Sequence, residues 1–409
     1  IQSLWWGATV LILGVISAVF GVAYALMERD IKRLLAYSSI ENIGIILIGL
    51  GTGMIAFSRG SGMLSALALT ASLLHVFNHA LFKGGLFLGA GAIQYSVHTK
   101  DMEQLGGLIK KMPLTSVFML CFALAISAVV PFNGFVSEWL TYQSIFMSIN
   151  PAYPAMNVVT ILSAAALAIS GAMALACFVR LFGISFLGLP RSSQAAEAGE
   201  VPFPMKAGMG ILALFTVLSG LFPMTFLKIL DKVAVEISGV SICGSLSGSS
   251  ILLYAPLMAS GSSIAPLPAL IIIAAAAAAA VLAARLIGGK TAVRKYGTWD
   301  CGYESLNQRM QYSATGFSKP FRIVFRMLYR PSRELKVEEG ASPYHPASIR
   351  YNVSTEKIIE KYLYAPLLKL VRKLSVRMKF SIQTGSVHMY LMYIFIVVLA
   401  LMLYGSLAQ

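Results

Sequence analysis

Charged residues are scarce in this sequence, and acidic residues are scarcer than basic ones. Asp, Glu, Lys and Arg make up 12% of the 409 residues, whereas about a quarter of an average soluble domain is charged. The hydrophobic fraction is 57% and the mean hydropathy is +0.76. This composition excludes an ordinary soluble domain and predicts an all-α, polytopic integral membrane helix bundle.

Cysteine is also rare. The four cysteines are scattered along the chain and lack the paired spacing of zinc, iron–sulfur or redox sites; they are Cys121, Cys177, Cys243 and Cys301. We interpret them as small residues of a membrane core. The sequence therefore predicts no cofactor, no metal site and no catalytic site of its own. No segment resembles a cleavable signal peptide.

Apolar stretches long enough to cross a bilayer, about 20 residues each, recur along the chain. Hydropathy indicates eight of them. Their bounds are 4–27, 34–54, 64–95, 113–147, 157–187, 207–230, 266–287 and 386–405. The fourth is interrupted at Pro131, so we expect a broken helix there.

Positive charge is concentrated in one region. Of the 32 Lys and Arg residues, 19 fall between Arg285 and Lys379. Basic residues beside membrane spans mark the cytoplasmic side, so the segment 285–385 is predicted to be cytoplasmic. With eight alternating spans, the other segments on that side are 29–33, 100–111 and Arg191. Those predicted outside are the loops around Arg59, 148–156 and Lys232, and the C-terminus.

Four segments follow from these patterns. They are a compact bundle at 1–187, additional transmembrane helices at 188–287, a basic segment at 288–385 and an anchoring span at 386–409. Within the basic segment, residues 354–378 place apolar side chains on one stripe and Lys and Arg around it. This pattern predicts an amphipathic helix on the membrane surface, kinked or divided at Pro366.

Three ionisable residues lie four residues apart within one apolar stretch: His75, His79 and Lys83. On a helix this spacing places them on one face, one turn apart. An ionisable group in a membrane span is costly unless it is paired or functional. We interpret the row as a relay for protons, with another cation as the alternative. The structural alternative is a set of hydrogen-bonded packing residues.

The second span contributes two further candidates. Glu41 lies more than two turns into the span, where a carboxylate needs a partner or a proton. Lys32 lies at its start, where it either takes part in ion transfer or anchors the helix at the interface by snorkelling. Position alone does not separate these two readings of Lys32.

Glu138 is the most sharply placed acid in the chain. It follows Pro131 and Gly134, which interrupt a helix at the depth of the bilayer centre. Broken helices with a charge at the break are how ion transporters build their sites. The alternative is a structural salt bridge. We expect Lys83 or Lys32 to compensate the charge of Glu138, directly or through water.

Several motifs carry a family resemblance. In chain order they are Asp-Ile-Lys-Arg-Leu-Leu-Ala-Tyr-Ser-Ser at 30–39, the helix of His75, His79 and Lys83, Gly-Gly-Leu-Ile-Lys-Lys-Met-Pro at 106–113, and the broken helix before Glu138. This order resembles the antiporter-like, proton-translocating subunits shared by respiratory complex I, Mrp-type cation/proton antiporters and membrane-bound nickel–iron hydrogenases. The motifs at 41–44, 131–143, 298–303 and 309–312 look most like the large membrane subunit of formate hydrogenlyase and hydrogenase-4 type complexes.

The resemblance implies an energy-coupling subunit of a prokaryotic inner membrane that moves protons while partner subunits do the redox chemistry. The implied partners are other membrane subunits, a peripheral nickel–iron hydrogenase and iron–sulfur arm, and membrane lipid, without nucleic acid. It also implies that this chain begins at the ninth span of a longer subunit and holds the second of two inverted five-helix repeats. The alternatives are a stand-alone or complex I/Mrp-type cation/proton antiporter and a membrane anchor that translocates nothing.

The resemblance also implies roles for individual residues. By motif position, Lys32 is the central lysine, His75, His79 and Lys83 are the linking relay, and Glu138 is the terminal charged residue of the broken helix. Glu41 stands where complex I relatives have an uncharged residue or a His. It is therefore a candidate for an additional proton site.

Overall fold

The computed structural model describes residues 3–243, 253–255, 262–288, 299, 301–302, 306–338, 347–356, 359–383 and 385–407. Of the motif at 298–303, positions 298, 300 and 303 lie outside the described residues. The chain divides into two compact units, Ile1–Phe321 and Arg322–Gln409. The predicted division into four segments stays a prediction.

The first unit is a bundle of helices. In chain order they are α1 (Leu4–Ala25), α2 (Ile31–Ser58), α3 (Gly62–Val97), α4 (Pro113–Ile126), α5 (Asn133–Met147), α6 (Pro154–Phe186), α7 (Ser193–Glu197), α8 (Phe203–Leu221), α9 (Pro223–Ser238) and α10 (Pro266–Gly288). A short hairpin, β1 (Leu253–Ala255) and β2 (Ser262–Ile264), precedes α10. Helix α11 (Ala314–Val324) begins in this unit and ends in the next.

The second unit contains α12 (Arg326–Tyr329), the antiparallel hairpin of β3 (Ser332–Glu338) and β4 (Ser348–Ser354), α13 (Ala365–Ile382) and α14 (Val387–Leu407). Strand β4 ends where the amphipathic helix is predicted to begin. Ser354, the predicted first residue of that helix, is the last residue of β4. A π-helical turn, Glu360–Tyr364, leads into α13. Pro366 is the second residue of α13, directly after the π-helical turn.

Seven of the described helices are long and apolar enough to cross a membrane: α1, α2, α3, α6, α8, α10 and α14. The remaining predicted span, 113–147, is the pair α4 and α5, of which α4 is a shorter apolar helix. The predicted polytopic helical fold is therefore confirmed. The two small hairpins are additions that the hydropathy pattern did not indicate.

Helices α1 and α2 pack with their backbones in close approach. Gly7, Gly14 and Gly21 recur every seven residues along α1. A Cβ at Gly14 would lie 2.8 Å from the carbonyl oxygen of Gly44, and one at Gly21 would lie 2.4 Å from the backbone nitrogen of Glu41. Small residues permit this spacing between helices in lipid. The contact fixes α2, and with it the polar face that α2 turns towards α3.

The predicted break at Pro131 is confirmed. Residues 127–132 are non-helical, and Ala128 has a φ of 49°. Gly134 restarts the helix so close to α4 that a Cβ there would lie 2.0 Å from the carbonyl oxygen of Ala125. On the other side, Gly220 of α8 packs against the Pro131 carbonyl. Protein therefore packs on two sides of the break, whose residues 128–132 are half-buried, and non-helical backbone at membrane depth needs such surroundings.

The loops after α1 and α3 meet at one end of the first unit. Asp30 pairs with Asp101 through the backbone, and the Lys100 Nζ lies 2.9 Å from the Asp30 carboxylate. The backbone nitrogen of Ile31 donates to the carbonyl of Lys100 at 3.0 Å. We call this the basic end. These contacts join two of the basic segments that charge alternation predicts on one side.

The loop after α6 and the segment before α11 join the same end. Arg191 donates to the carbonyls of Leu105 at 3.1 Å and Tyr312 at 3.0 Å. The Gln311 side chain exchanges two hydrogen bonds with the backbone of Leu189, at 2.8 and 2.9 Å. Residues 311–312 of the predicted basic segment are thereby held against the bundle.

Arg180 supports this attachment from inside the bundle. Its side chain is 1% exposed, and it donates to the carbonyls of Leu26 and Glu28 at 2.6 Å each and of Ala314 at 3.1 Å. The carbonyls of Leu26 and Glu28 lie just after α1, and Ala314 is the first residue of α11. A single buried guanidinium therefore joins α6, the end of α1 and the start of α11.

At the opposite end, the loops after α2 and α5 meet. Arg59 donates to the Ser148 carbonyl at 3.1 Å, and its guanidinium lies 4.3 Å from the ring centre of Tyr153. This geometry allows a cation–π contact. The loops that the predicted alternation of spans assigns to opposite sides of the membrane therefore lie at opposite ends of the bundle.

The ionisation of Glu103 makes the stability of the basic end depend on pH. Burial opposes its ionisation, but hydrogen bonds from Thr315 and Ala314 and the charge of Arg29 outweigh burial and lower the pKa of Glu103 below its ordinary value of 4.5. The ionised carboxylate of Glu103 therefore stabilises the fold above pH 4.5, and this stabilisation is lost as the pH falls through the lowered pKa of Glu103 in the folded protein.

We therefore expect Glu103→Gln to lower the thermal unfolding midpoint of the purified protein by a constant amount between pH 5 and 8. The difference from the parent protein should shrink below about pH 4.5, where the parent carboxylate is protonated as well. A difference that persists unchanged at low pH would contradict this role for the Glu103 charge.

Candidate functional site

The predicted row of ionisable residues lies on one helix, α3. His75 is 1% exposed and Lys83 is 5% exposed, while His79 between them is half-buried. The face that carries His75 and Lys83 is turned towards α2 and α5, whose side chains and carbonyls supply hydrogen-bond partners. The site is therefore a junction of α2, α3 and α5, with α6 behind it.

His75 is bonded at both ring nitrogens. Nδ1 lies 2.9 Å from the Ser137 hydroxyl of α5, and Nε2 lies 3.3 Å from the side-chain oxygen of Asn42 of α2. Asn78, three residues after His75 on α3, donates to the Asn133 carbonyl at 2.9 Å and to the Ser137 hydroxyl at 3.2 Å. His75 is thus held between two helices, one of which begins at the helix break.

Lys83 is held by α2. Its Nζ donates to the Ser38 hydroxyl at 2.6 Å and to the Leu35 carbonyl at 3.1 Å. These neutral oxygens solvate the ammonium group without neutralising it, and the acid that acts on it electrostatically is Glu41. A buried lysine with this environment can hold a proton and release it when the surrounding charges change.

His79 differs from its neighbours in the row. Its ring packs edge-on against Phe82, with ring centres 5.7 Å apart. Its Nε2 is buried and has no hydrogen-bond partner among the described residues. His79 interacts electrostatically with both His75 and Lys83. Its ring therefore has a nitrogen available to exchange a proton.

Glu41 joins α2 to α6. It is 1% exposed, and its Oε1 accepts a hydrogen bond from the Ser170 hydroxyl at 3.0 Å. Its Oε2 has no partner within the part of the chain that the structure describes. Both Lys83 and Glu138 lie within electrostatic range of Glu41. One carboxylate of the second span therefore interacts with the relay and with the broken helix.

Glu138 lies on α5, five residues after the helix begins, and is 7% exposed. It faces α6, because a Cβ at Gly171 would lie 3.8 Å from its Oε2. Within the described ranges no hydrogen bond or ion pair to Glu138 is found. The expected compensation of Glu138 by direct contact with Lys83 or Lys32 is therefore not observed. Its electrostatic neighbours are Glu41 and Tyr142.

Lys32 does not join this cluster. It is the second residue of α2, its backbone nitrogen donates to the Asp30 carboxylate that caps the helix at 2.9 Å, and its side chain is half-buried at the basic end. Ser38, the partner of Lys83, lies six residues further on, about 9 Å along the helix. The position of Lys32 fits the anchoring interpretation of the sequence.

Six neutral polar residues of the site were not identified from the sequence: Ser38, Asn42, Asn78, Asn133, Ser137 and Ser170. The available signal was their helical spacing, since Ser38 and Asn42 are one turn apart, and Asn78 is one turn from His75. Asn and Ser in apolar spans are too common for spacing alone to select them. The structure identifies these residues because it shows which helices are neighbours.

The arrangement can hold and exchange protons. It offers two carboxylates, two imidazoles and an ammonium group in a buried region, with hydroxyl and amide groups as hydrogen-bonded neighbours. Within the described residues, no group of three or more His, Cys, Asp or Glu side chains is arranged to hold a metal ion. The chemistry of these residues themselves is acid–base chemistry.

The family model described as NADH:quinone oxidoreductase/Mrp antiporter, transmembrane, matches residues 1–168. Hydrogenase-4 component B of Escherichia coli (strain K12) is 36% identical over 396 residues, which cover 96% of this chain and 58% of that protein. Formate hydrogenlyase subunit 3 of the same organism is 37% identical over 324 residues, which cover 79% of this chain and 50% of that protein. The chain thus spans about half the length of these relatives.

A solved structure shares the fold. It is that of the membrane-bound sulfane sulfur reductase, an archaeal respiratory membrane complex, and one of its chains matches with a TM-score of 0.68. The match covers 97% of this chain and 56% of that chain, at 23% sequence identity. At this identity the likeness concerns the fold alone.

Proposed function

Because residues 1–168 match the transmembrane model of the NADH:quinone oxidoreductase/Mrp antiporter family, we propose that the chain is a proton-translocating, energy-coupling part of a membrane-bound hydrogenase complex of the formate hydrogenlyase and hydrogenase-4 type. The observation that carries the proposal is the buried junction of α2, α3 and α5. It keeps His75, Lys83, Glu41 and Glu138 out of water. An inert anchor gains nothing from such costly groups.

In this proposal protons move between the α3 row and the broken helix. Lys83 is the buried proton carrier, and His79 passes protons along α3. Glu138 exchanges protons at the break. Glu41 lies within electrostatic range of both ends, and we assign it as an additional proton site. Each transfer changes the charge that the next group experiences, so the groups are coupled.

We assign the part of the central lysine to Lys83 and leave Lys32 outside the path. Lys83 is buried and interacts with Glu41, whereas Lys32 is half-buried at the start of α2. A lysine at a helix end can extend its ammonium group to the interface at little cost. Lys32→Gln is the variant that separates the two assignments, since it leaves the buried cluster unchanged.

The partners we propose are other membrane subunits and a peripheral nickel–iron hydrogenase arm with iron–sulfur clusters. The E. coli relatives are named as parts of hydrogenase-4 and formate hydrogenlyase, and the basic segment 285–379 carries charge suited to docking. Co-purification from detergent-solubilised membranes tests this. Recovery of the subunit without any hydrogenase subunit would favour the self-standing cation/proton antiporter instead.

The membrane orientation follows from the charge distribution. We propose a location in a prokaryotic inner membrane with the basic end and α13 in the cytoplasm and the C-terminus outside. In a cysteine-free background, Ser406→Cys should react with an impermeant thiol reagent added to intact cells, whereas Ser375→Cys should react only after the membrane is permeabilised. Labelling of Ser375→Cys from outside would contradict the orientation.

The row on α3 gives a second test. We expect His79→Ala to lower the number of protons translocated per substrate oxidised by about tenfold or more, because a positioned acid–base group contributes at least this much to proton transfer. The measurement uses the purified complex in liposomes with a pH-sensitive dye. We expect assembly to be retained: Ala removes the ring contact with Phe82, but His79 Nε2 has no hydrogen bond to lose among the described residues.

The matched control is His388→Ala, which removes an exposed histidine of α14. It should translocate like the parent. If His79→Ala also translocates like the parent, the histidines of α3 return to the class of packing residues. An anchor without translocation predicts that no variant of the buried cluster changes the proton count.

A further inference from the structure

The Asn42 side chain has only one orientation that satisfies its surroundings. Asn42 is 1% exposed on α2, and its amide nitrogen donates to the Ser38 carbonyl one turn earlier at 2.8 Å. A carbonyl accepts hydrogen bonds and cannot donate, so the nitrogen end must face Ser38. The oxygen end therefore faces His75, with Oδ1 at 3.3 Å from Nε2.

This orientation determines which nitrogen of His75 carries the proton. An amide oxygen can only accept, so the neutral ring must donate from Nε2–H to Asn42. Nδ1 then holds the lone pair and accepts from the Ser137 hydroxyl at 2.9 Å. The Ser137 oxygen accepts from the Asn78 amide at 3.2 Å. Its single proton can go to Nδ1 or to the carbonyls of Gly134 at 3.1 Å and Asn133 at 3.4 Å, and Nδ1, at 2.9 Å, is the shortest of the three.

The position of Asn78 is fixed independently. Its amide nitrogen also donates to the Asn133 carbonyl at 2.9 Å, and its oxygen accepts from the Asn133 side chain at 3.1 Å. Every amide around His75 thus has a single consistent orientation. The chain of donors runs from Asn78 through Ser137 to Nδ1, and from Nε2 to Asn42.

We propose that Asn42 is a positioning residue that holds His75 in the Nε2–H tautomer and directs its proton exchange to Nδ1, on the α5 side. This inference rests on the proposed function. The Asn42 oxygen occupies the Nε2 side and carries no proton onward, so that side is closed while Asn42 is in place. His75 then exchanges protons with the broken helix through Ser137.

Solid-state NMR of the complex in lipid, labelled with ¹⁵N-histidine, reads the tautomer directly. The signal of His75 is isolated by subtracting the spectrum of a His75→Gln complex. We expect the parent to show Nε2–H with Nδ1 unprotonated. One neutral hydrogen bond is worth roughly a 5- to 10-fold preference, so Asn42→Leu, similar in volume but without an acceptor, should make the Nδ1–H form a major population.

A control variant sharpens the test. Thr52→Val is the matched control, because Thr52 is equally buried on α2 and, among the described residues, its hydroxyl bonds to Ile48 of its own helix, at 2.8 Å. It should leave the His75 signal unchanged. Asn42→Leu should also lower the translocated protons per substrate several-fold, while Thr52→Val should not.

A parent spectrum with Nδ1–H at His75 overturns the inference, and this reading needs only that the His75→Gln complex used for the subtraction assembles. A tautomer unchanged by Asn42→Leu overturns it as well. Both readings are independent of translocation. If the tautomer responds as expected while Glu138→Gln and Glu41→Gln both leave translocation unchanged, the proposed function fails and the assignment of the His75 proton stands.

Discussion

Glu138→Gln is expected to reduce proton translocation by about 100-fold, or to the limit of detection, because transfer through a positioned acid–base group contributes 10²–10⁴-fold. Gln keeps the shape of the side chain and removes its titration. Purified complex in liposomes with a pH-sensitive dye reports the translocated protons, and the rate of substrate oxidation is measured in parallel.

Stability should change little in this variant. Glu138 makes no hydrogen bond or ion pair among the described residues, so the substitution leaves no partner unsatisfied. A neutral amide is also less costly to bury than a carboxylate. Glu138→Ala is a poorer test because it adds a cavity. The matched control is Glu236→Gln, which removes an exposed acid of α9.

If Glu138→Gln translocates at the parent rate, this acid is structural. The exit of the path then moves towards Glu41, and Glu41→Gln becomes the decisive variant. If both variants translocate normally, the buried carboxylates have no part in transport and the anchor alternative gains support.

Gly134→Ala is expected to destabilise the protein by roughly 1–3 kcal/mol, the usual cost of overpacking. The added Cβ would lie 2.0 Å from the Ala125 carbonyl oxygen, and this backbone atom can move only by displacing the turn 127–132. We expect a lower thermal unfolding midpoint of the purified complex and reduced translocation, since the turn places α5 and its Glu138.

Gly91→Ala on α3 is the matched control. A Cβ at Gly91 meets no atom within 4 Å, so the substitution only exchanges glycine for a better helix former and should be neutral or stabilising by about 1 kcal/mol. Equal effects of the two variants would show that helix propensity, and not the close approach at the break, decides the result.

Much of the fold was predictable because its signals are local. Long apolar runs mark the spans, and Pro131 with Gly134 marks the break. The row on α3 was predictable for the same reason, since spacing along one helix needs no knowledge of other helices. The start of the amphipathic helix was harder to predict from the sequence. Ser354, its predicted first residue, is the last residue of β4. This strand forms by pairing with β3, and strand pairing is not a local property of the sequence.

The environment of the site was not predictable, because it depends on which helices are neighbours. Nothing in the sequence joins Asn42 of α2 to His75 of α3, or Glu41 to Ser170 of α6. The motif resemblance implies that Lys32 is the central lysine, whereas our proposal gives that part to Lys83. Both are lysines near apolar residues, and only the position along α2 and α3 separates a helix-end lysine from a buried one.

The glycines between α1 and α2 restrict how this protein can move. Because they recur every seven residues, the next register in which the two backbones fit is about 10 Å away, and any smaller slide would drive a Cβ into backbone. Ser38 and Asn42 therefore stay in place relative to α1. A change of charge at Lys83 or His75 therefore cannot be accommodated by a small slide of α2 along α1.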